Sequence, residues 1–411
     1  MLKMIDYIPR HLVMVSAGAN NNKYYDMTPN GDTWTATYGR IGSGSQTRTY
    51  NKSQWHSKYN EKIKKGYVDQ TDLVKDLIAS EKPKRKDGYK PIDNPAIAEI
   101  VDRLQNMARK VIKENYTISS NKVTQAMVDA AQEIIDDLLS IPDLSLFNQR
   151  LLELFTTIPR RMGNVSSYLA IEDSDFPKII DREQKLLDVM KGQVVQKQTQ
   201  EETETDIPEA SVSDRTILEQ LGLVIEECDL DDIARIKASL GSCQDKFCRA
   251  WRVTNLKTQA RFDKFVSENN IQDTRLLFHG SRNENWWSIL QMGLVLRPTN
   301  AVITGKMFGY GLYYAPKAKK SLGYTSLSGS YWAKGSAQSG FMGLMDVAYG
   351  KPYDVYKHTY DLSSLTYDKL QNCCPGANCL HAHAGSMLYN DEIVVYKEEQ
   401  CTIKYLVELQ N

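Results

Sequence analysis

The residue types with the clearest chemical use lie in the last third of the chain. They are an adjacent histidine, glycine and serine, a tyrosine in a glycine-rich stretch, a serine and a tyrosine three residues apart, and a glutamate before an apolar run: His279, Gly280, Ser281, Tyr313, Ser321, Tyr324 and Glu392. Aromatic faces, backbone amides exposed by glycine and small hydroxyls can hold a flat ring that bears an amide, together with a ribose. One carboxylate can then stabilise positive charge that develops at a sugar carbon.

The elements that carry these residues predict an α+β domain. Six stretches rich in β-branched and aromatic residues indicate strands: FCRAWRVTN, RLLFHGS, GLYYAP, MDVAYGKPYDVY, EIVVYK and CTIKYLVELQ. Because strands follow strands without regular crossover helices, a largely antiparallel sheet fits better than a doubly wound one. The helix ENWWSILQMGL interrupts the strands, and we expect one of Trp286 and Trp287 to pack in the core and neither to need a cofactor.

The order of these motifs resembles the ADP-ribosyltransferase domain of the poly(ADP-ribose) polymerases. LLFHGSR is similar to that family's strand-end His-Gly-Ser, and NWWSILQMGL to its next helix. VITGKMFGYGLYYAPKAKKSLGY is similar to its glycine-rich loop, second triad residue and nicotinamide wall. EIVVYKEEQCTIKYLVEL is similar to its glutamate-bearing strand and last strand, so the resemblance covers about the last 200 residues. It implies NAD as a substrate.

The resemblance also implies a role for each matched residue. The Gly280 backbone and the Ser321 hydroxyl would hold the nicotinamide carboxamide. Tyr324 would stack on the nicotinamide ring, and Tyr313 would form the opposite or flanking wall. The catalytic triad would comprise His279, Tyr313 and Glu392.

Further roles concern the two ribose groups and the acceptor. His279 would hydrogen-bond a ribose hydroxyl of the adenosine half, with Ser281 and Asn285 nearby. Glu392 would hydrogen-bond the nicotinamide ribose and polarise the incoming hydroxyl as nicotinamide leaves. The residues beside the acceptor would be Lys306 and Met307.

Two assignments have alternatives. A lone strand-end histidine is more often a structural hydrogen-bonding group than a ligand contact, but the Gly-Ser that follows His279 and the other segments in order favour ligand binding. For the glutamate a second register exists, since in LYNDE it is Asp391 that follows the asparagine. Glu392 is preferred because the sequence from Glu392 to Leu409 aligns with the family's glutamate-bearing strand and last strand without a gap.

The first 90 residues carry an excess of basic charge although the whole chain is neutral. They hold 16 Lys and Arg against 9 Asp and Glu, and seven basic residues against one acidic lie between Arg40 and Gly66. Such an excess is typical of a surface for polyanions, with a solvated helix face as the alternative. The alternating TWTATYGRIG and TRTYN, followed by the amphipathic SQWHSKYNEKIKKGY, predict a small sheet with one helix.

This block resembles the WGR domain, which precedes such catalytic domains and senses nucleic-acid ends. YGRIGSGSQTRTY and NEKIKKGYVD follow its pattern, although Tyr38 replaces the tryptophan of the Trp-Gly-Arg motif that gives the domain its name. Four basic side chains are expected to contact phosphates, which gives affinity and salt dependence but little sequence preference. Trp34 could cover an exposed base pair, but burial in the sheet is the preferred expectation. The candidates for DNA binding are Trp34, Gly39, Arg40, Arg48, Lys52 and Lys58.

The middle of the chain predicts a helical bundle. Apolar residues recur at helical spacing, and Pro142, Pro159 and Gly192 are expected to end helices. By position and pattern this block resembles the helical regulatory domain of the DNA-dependent polymerases, which shields the NAD site until DNA binding loosens it. The predicted fold class is thus multidomain α+β, with a sheet-plus-helix WGR-type domain, an all-α bundle and an antiparallel-sheet transferase domain.

Two polar segments separate the three blocks. EKPKRKDGYKP is basic with two prolines, and QKQTQEETETDIPEASVSD is acidic with almost no large apolar residue. The predicted boundaries are 1–80 for the WGR domain, 81–92 for a basic linker, 93–195 for the helical domain, 196–213 for an acidic tether and 214–411 for the transferase.

Composition is that of an ordinary globular protein. The 411 residues are 41% hydrophobic and 25% charged. No stretch approaches the roughly 20 consecutive apolar residues of a membrane span. The first residues lack the basic, then apolar, then small-residue regions of a signal peptide. We therefore expect an intracellular protein without membrane contact, in the nucleus if the source is eukaryotic and in the cytoplasm if it is prokaryotic.

A cysteine- and histidine-rich loop departs from the family pattern. CCPGANCLHAHAG places five metal-binding side chains within eleven residues: Cys373, Cys374, Cys379, His381 and His383. Four of them could form a tetrahedral zinc site, although the spacing matches no standard finger. A mobile thiol-rich acceptor loop is the alternative, and an odd total of seven cysteines favours reduced thiols over a disulfide framework.

Together these observations predict a poly(ADP-ribose) polymerase that responds to DNA breaks. It would consume NAD and modify acceptor proteins and itself, and the glutamate implies transfer onto existing ADP-ribose chains as well as onto protein. A mono-ADP-ribosyltransferase of the same fold is one alternative, distinguished by whether products grow beyond one unit. A non-catalytic scaffold that binds DNA ends is the other, and the complete triad speaks against it.

Overall fold

The computed structural model describes most of the chain, namely residues 5–74, 89–116, 123–206, 215–296, 307–331, 333–385 and 388–411. The chain divides into two compact units. The first contains residues 1–86 and 109–194, and the second contains residues 87–108 and 195–411. None of the helices in these described stretches is long and apolar enough to cross a membrane.

The N-terminal part of the first unit is a five-stranded sheet with one helix, as predicted. Its strands are β1 (Arg10–Ser16), β2 (Asn21–Asn30), β3 (Thr33–Arg40), β4 (Gln46–Asn51) and β5 (Val68–Asp69), in the order β4-β3-β2-β1-β5 and antiparallel throughout. Alternation in β3 buries Trp34 and Ala36. Helix α1 (Trp55–Lys64) turns Trp55 and Tyr59, four residues apart, onto that face.

The rest of the first unit is helical. It contains the end of α2 (Pro95–Asn115), then α3 (Gln125–Leu138), α4 (Leu144–Thr157) and most of α5 (Phe176–Asp206). Thr124 and Asp143 cap α3 and α4, because each side chain accepts a hydrogen bond from a backbone N–H in the first turn. Apolar residues at helical spacing, among them Met127, Ile134 and Leu151, are buried as the pattern requires.

Helix α5 runs further than the sequence suggested. The prediction that Gly192 ends a helix is wrong, since α5 continues through it to Asp206. Glycine inside a helix costs only about 1 kcal/mol relative to alanine, and the Gln, Glu and Lys residues on both sides have high helix propensity. Residues 196–206 of the predicted tether are therefore helical. Residues 207–213, like residues 81–88 of the predicted basic linker, lie outside the described residues.

The second unit is α+β with mainly antiparallel sheets. One sheet has the order β6-β7-β14-β10-β8, from β6 (Leu223–Glu227), β7 (Phe247–Asn255), β8 (Thr274–Gly280), β10 (Ser339–Ala348) and β14 (Cys401–Gln410). The other has the order β11-β12-β13-β9, from β9 (Leu312–Tyr314), β11 (Pro352–Val355), β12 (Cys379–Ala382) and β13 (Glu392–Val395), with β11 and β12 parallel. The predicted α+β class and all six predicted strand stretches are confirmed.

Helices of the second unit are short. They are α6 (Ile217–Leu221), α7 (Leu230–Leu240), α8 (Leu256–Glu268), α9 (Trp286–Met292), α10 (Ala318–Leu322) and α11 (Tyr367–Cys373). Both Trp286 and Trp287 are fully buried, so each is a core residue. We expected one of the two tryptophans to pack in the core, and the structure buries both.

The first part of α2 is joined to the larger sheet by ion pairs. Arg103 Nη2 lies 2.5 Å from Glu408 Oε1 on β14, and Arg249 on β7 bridges Glu99 at 2.9 Å and Glu408 at 3.3 Å. Glu408 is 3% exposed, so its carboxylate needs both guanidinium groups. These contacts explain why residues 87–108 belong to the second unit, whereas the sequence assigned all of α2 to a separate helical domain.

Candidate active site and basic surface

Strand pairing brings the three predicted triad positions together. Phe278 in β8 forms a bridge with Ala315, just after β9, and Tyr313 in β9 pairs with Val394 in β13. His279 is at the end of β8, and its Nδ1 lies 3.0 Å from the Tyr313 carbonyl oxygen. Since a carbonyl only accepts, Nδ1 carries the proton. The ring of His279 is therefore fixed against the strand that bears the tyrosine.

Gly280 lies where no side chain can fit. A Cβ at this position would be 2.0 Å from the carbonyl oxygen of Ser321 and 3.2 Å from the Cβ of Tyr324. The Ser321 hydroxyl donates to the Phe278 carbonyl at 3.0 Å and is buried. The backbones of β8 and helix α10 thus meet in direct contact, and the Ser321 hydroxyl proton is used in a bond to β8.

Tyr313 and Tyr324 lie near Glu392 and differ in how firmly their rings are held. The Tyr313 hydroxyl donates to the Gly309 carbonyl at 2.8 Å and accepts from the Phe308 N–H at 3.1 Å, so the glycine-rich loop fixes the ring. Burial raises the pKa of Tyr313 far above its usual range. Tyr324 is 39% exposed, and partial burial with the nearby Glu392 carboxylate raises its pKa to about 12. One ring is fixed, and the other offers a face to solvent.

Glu392 begins β13 and is 8% exposed. Its Oε1 lies 3.0 Å from Lys320 Nζ, which also donates to the Asn390 carbonyl at 3.3 Å. Burial raises the pKa of Glu392, and the Lys320 ammonium opposes part of that rise. Sequence reasoning missed Lys320, although its place directly before Ser321 in KKSLGY was an available signal.

The adjacent Asp391 faces other partners. Its Oδ1 accepts from the Ala384 N–H at 2.8 Å, and its Oδ2 lies 3.0 Å from His381 Nε2. Successive residues of an extended strand point to opposite sides, so Asp391 and Glu392 cannot both face the tyrosines. Of the two carboxylates, Glu392 is the one close to the two tyrosines.

The other residues predicted to contact NAD or the acceptor are Ser281, Asn285, Lys306 and Met307. Asn285 Nδ2 donates to the Ser281 hydroxyl at 3.0 Å, and the buried Oδ1 of Asn285 has no hydrogen-bond partner within the described stretches. Met307 packs against the apolar cluster around β12 and β13. Lys306 lies outside the described residues.

On the N-terminal sheet, two DNA-binding candidates have structural roles. Trp34 is fully buried, and its Nε1 donates to the Asn51 carbonyl at 3.2 Å. Burial, the preferred expectation for Trp34, is therefore observed: its ring packs edge-on against Trp55 inside the sheet domain and offers no exposed face to a base pair. A Cβ on Gly39 would be 2.8 Å from the Gly44 carbonyl oxygen, so this glycine allows the β3–β4 turn to fold back closely.

The four basic candidates differ in how their charges are held. Arg40 donates to the carbonyls of Asn20 and Gly163 at 2.8 and 3.0 Å, inside the first unit. The Lys58 ammonium lies 2.8 Å from a Glu61 carboxylate oxygen, while Arg48 and Lys52 are exposed. These two lie over tyrosine rings, at 5.2 and 4.6 Å from the ring centroids. Arg48 and Lys52 are thus the two exposed side chains among the four candidates.

The cysteine-rich segment does not gather its five candidates. Cys373 and Cys374 lie at the end of α11, whereas Cys379 is buried at the start of β12. All seven cysteines are free thiols. The described residues that do come together as a set of possible metal ligands are His381, His383 and Asp354, the last of which the sequence did not single out.

Two known protein families match separate parts of the chain. Residues 231–411 match the poly(ADP-ribose) polymerase catalytic domain, and residues 8–74 match the WGR domain. A protein described as putative poly [ADP-ribose] polymerase-like 100L, from Invertebrate iridescent virus 6, is 33% identical over 190 residues, 45% of this chain and 97% of that protein.

Longer relatives come from plants and animals. Poly [ADP-ribose] polymerase 2 of Zea mays is 29% identical over 213 residues, 44% of this chain and 31% of that protein. Poly [ADP-ribose] polymerase 1 of Xenopus laevis is 23% identical over 394 residues, which cover 87% of this chain but only 38% of the Xenopus protein. The chain belongs to the poly(ADP-ribose) polymerase family and is an ADP-ribosyltransferase that uses NAD as its substrate.

Proposed function

We propose that this chain is a poly(ADP-ribose) polymerase activated by DNA breaks. It transfers ADP-ribose from NAD to proteins, including itself, and to growing ADP-ribose chains, with release of nicotinamide. The observation that carries the transfer chemistry is the buried Glu392 carboxylate, which lies 3.0 Å from Lys320 Nζ and close to Tyr324. A response to DNA breaks requires a compartment that contains DNA, the nucleus in a eukaryotic cell and the cytoplasm in a prokaryotic one.

In this proposal the nicotinamide end of NAD lies between the two tyrosines. The carboxamide is held by the Gly280 backbone and by the Ser321 oxygen, which can accept from an amide N–H because its own proton goes to Phe278. Tyr324 stacks on the ring, and Tyr313 is the fixed flanking wall. His279, Ser281 and Asn285 bind the adenosine ribose. The close approach of β8 to α10 supports this assignment.

Glu392 acts on the sugar. The bond between ribose C1′ and the nicotinamide nitrogen breaks, both electrons leave with nicotinamide, and C1′ becomes cationic. The carboxylate stabilises that charge and then takes the proton of the acceptor hydroxyl as the new C1′–O bond forms. A positioned general base contributes about 10²–10⁴-fold to such a step. Lys306 and Met307 are proposed to lie beside the acceptor.

DNA activation is proposed from the rest of the chain. Arg48 and Lys52, with Lys58 and Arg40 as further candidates, would bind the phosphates near a DNA end. The helical segment would restrain the transferase until DNA binds. The ion pairs of Arg103 and Arg249 with Glu408 support this second step, because they attach the first helix of that segment to the transferase sheet.

The test uses the full chain with labelled NAD and defined DNA. We expect automodification to rise strongly with blunt or nicked duplex and the products to extend beyond one ADP-ribose unit. Equal automodification with and without duplex would defeat DNA activation. Products limited to one unit would instead identify a mono-ADP-ribosyltransferase.

A further inference from the structure

Three neighbouring strands of the smaller sheet bring two histidines and two carboxylates to one place. His381 in β12 and His383, which continues that strand, are two residues apart and therefore share a face. Asp354 in the parallel strand β11 is in register with His381, and Asp391 directly precedes β13. The two imidazole rings stack with centroids 4.0 Å apart.

Three of these side chains are arranged as metal ligands. His383 Nε2 lies 2.7 Å from Asp354 Oδ1, and His381 Nδ1 lies 4.0 Å from the same oxygen. The three ligand atoms all lie within 4.8 Å of one another. Tetrahedral zinc, with bonds of about 2.0–2.1 Å, holds its ligand atoms about 3.4 Å apart. Small side-chain rotations are therefore enough to close the set around one ion.

The hydrogen bonds of His381 prepare it for this task. Nε2 lies 3.0 Å from Asp391 Oδ2, so the proton is on Nε2, and the other Asp391 oxygen is fixed by the Ala384 N–H at 2.8 Å. Nδ1 then carries the lone pair and accepts from the Tyr349 hydroxyl at 2.7 Å, a hydrogen bond that a bound ion would replace. A carboxylate that orients a metal-binding histidine through its second nitrogen is the usual arrangement around protein metal ions.

The cluster also has an access route. Asp354 is exposed, and His383 is half-buried with its ring stacked on Tyr356, which is 64% exposed. His381 is 9% exposed and supplies the inner wall. Two imidazoles and one carboxylate form a ligand set that suits zinc and its neighbours in the transition series rather than magnesium or calcium.

We propose that Asp354, His381 and His383 bind a divalent transition ion of the zinc class, with Asp391 as a positioning residue for His381. The ion would also restrain the start of β13, because Asp391 is covalently adjacent to Glu392. That consequence for catalysis rests on the proposed role of Glu392, whereas binding of the ion does not.

The test measures zinc binding to the full chain after chelator treatment, by calorimetry in the absence of NAD. We expect one ion per wild-type chain and the same for the double variant Cys373→Ser/Cys374→Ser, which is the matched control for the alternative thiol ligands. His383→Ala and Asp354→Ala should lose stoichiometric binding. Both positions are accessible, so the variants are expected to fold, which thermal unfolding without metal checks.

Two further measurements sharpen the assignment. Asp391→Asn should weaken zinc binding about 10–100-fold, the usual effect of removing an orienting carboxylate. Cobalt in place of zinc should give a tetrahedral spectrum without a thiolate charge-transfer band. Absence of binding to the wild-type chain, binding retained after His383→Ala, or a thiolate band would each overturn the proposal. Because NAD is absent throughout, these results are independent of whether Glu392 is the catalytic carboxylate.

Discussion

The C-terminal site and the N-terminal basic surface hold their polar groups in different ways. At the C-terminal site, the hydroxyls of Tyr313 and Ser321 and the carboxylate of Glu392 are each held by partners at 2.8 to 3.1 Å. On the N-terminal sheet, the exposed Arg48 and Lys52 lie over tyrosine rings about 5 Å away. The first arrangement suits stabilisation of one transition state, and the second suits a polyanion that can bind in many registers.

The largest expected effect comes from the carboxylate itself. Glu392→Gln keeps the shape of the side chain but removes its charge, so ADP-ribosyl transfer should fall by about 10²–10⁴-fold, the range for a lost general base. NAD affinity should change only a few-fold, and chain growth should suffer most. The single-turnover rate of transfer, the affinity for NAD and the polymer length are the quantities to measure.

Asp391→Asn is the matched control for that variant, provided that both are assayed in metal-free buffer so that loss of the proposed ion does not contribute. It removes the charge of the neighbouring carboxylate, which faces His381 rather than the tyrosines. If polymer length were unchanged in Glu392→Gln and reduced in Asp391→Asn, the catalytic role would pass to Asp391.

Close packing gives the next prediction. Gly280→Ala places a methyl group 2.0 Å from the Ser321 carbonyl oxygen, and both contacting segments are backbone. Strand β8 and helix α10 must separate, which should cost at least about 2 kcal/mol of unfolding free energy and most of the affinity for NAD. Gly385→Ala is the control, since no atom lies within 4 Å of a Cβ there. Equal melting temperatures and NAD affinities for the two variants would contradict the packing argument.

Much of the C-terminal site could be predicted from sequence because its parts are local. His279-Gly280, Ser321 with Tyr324, and Glu392 each lie in a short stretch with recognisable neighbours. Lys320 was missed although it directly precedes Ser321, because its role appears only through a contact with a residue more than 70 positions later. The pairing of His381 with Asp354 depends on a parallel strand register that no local pattern encodes.

The N-terminal surface was less predictable for a related reason. The alternation that identifies β3 leaves open which face of the sheet is covered, and it is the helix α1 that buries Trp34. Arg40 looked like a phosphate ligand by its motif, but its guanidinium is bound by the carbonyl of Gly163, more than 120 residues away. Gly192 was misread because glycine weakens a helix without ending it.

A smaller effect concerns the protonation of Glu392. Its pKa is raised by burial and partly restored by Lys320, so activity should fall as the pH drops through that raised pKa. Lys320→Met removes the opposing charge and should move the acid limb of the pH–rate profile to higher pH. Lys319→Met is the control, because Lys319 is exposed. An acid limb at the same pH in both variants would show that the ion pair does not tune the carboxylate.

The smallest effects should come from single charges on the basic surface. If Arg48 and Lys52 each contact one phosphate, Arg48→Gln and Lys52→Gln should each reduce the slope of log K against log salt by about 0.9. Lys58→Gln should reduce it less, because the Lys58 ammonium is already shared with Glu61 at 2.8 Å. Titration of a blunt duplex at several salt concentrations gives the three slopes. Equal changes for exposed and paired residues would mean that local ion pairing does not decide which side chains meet DNA, and the contrast between the two regions would then lie in the catalytic site alone.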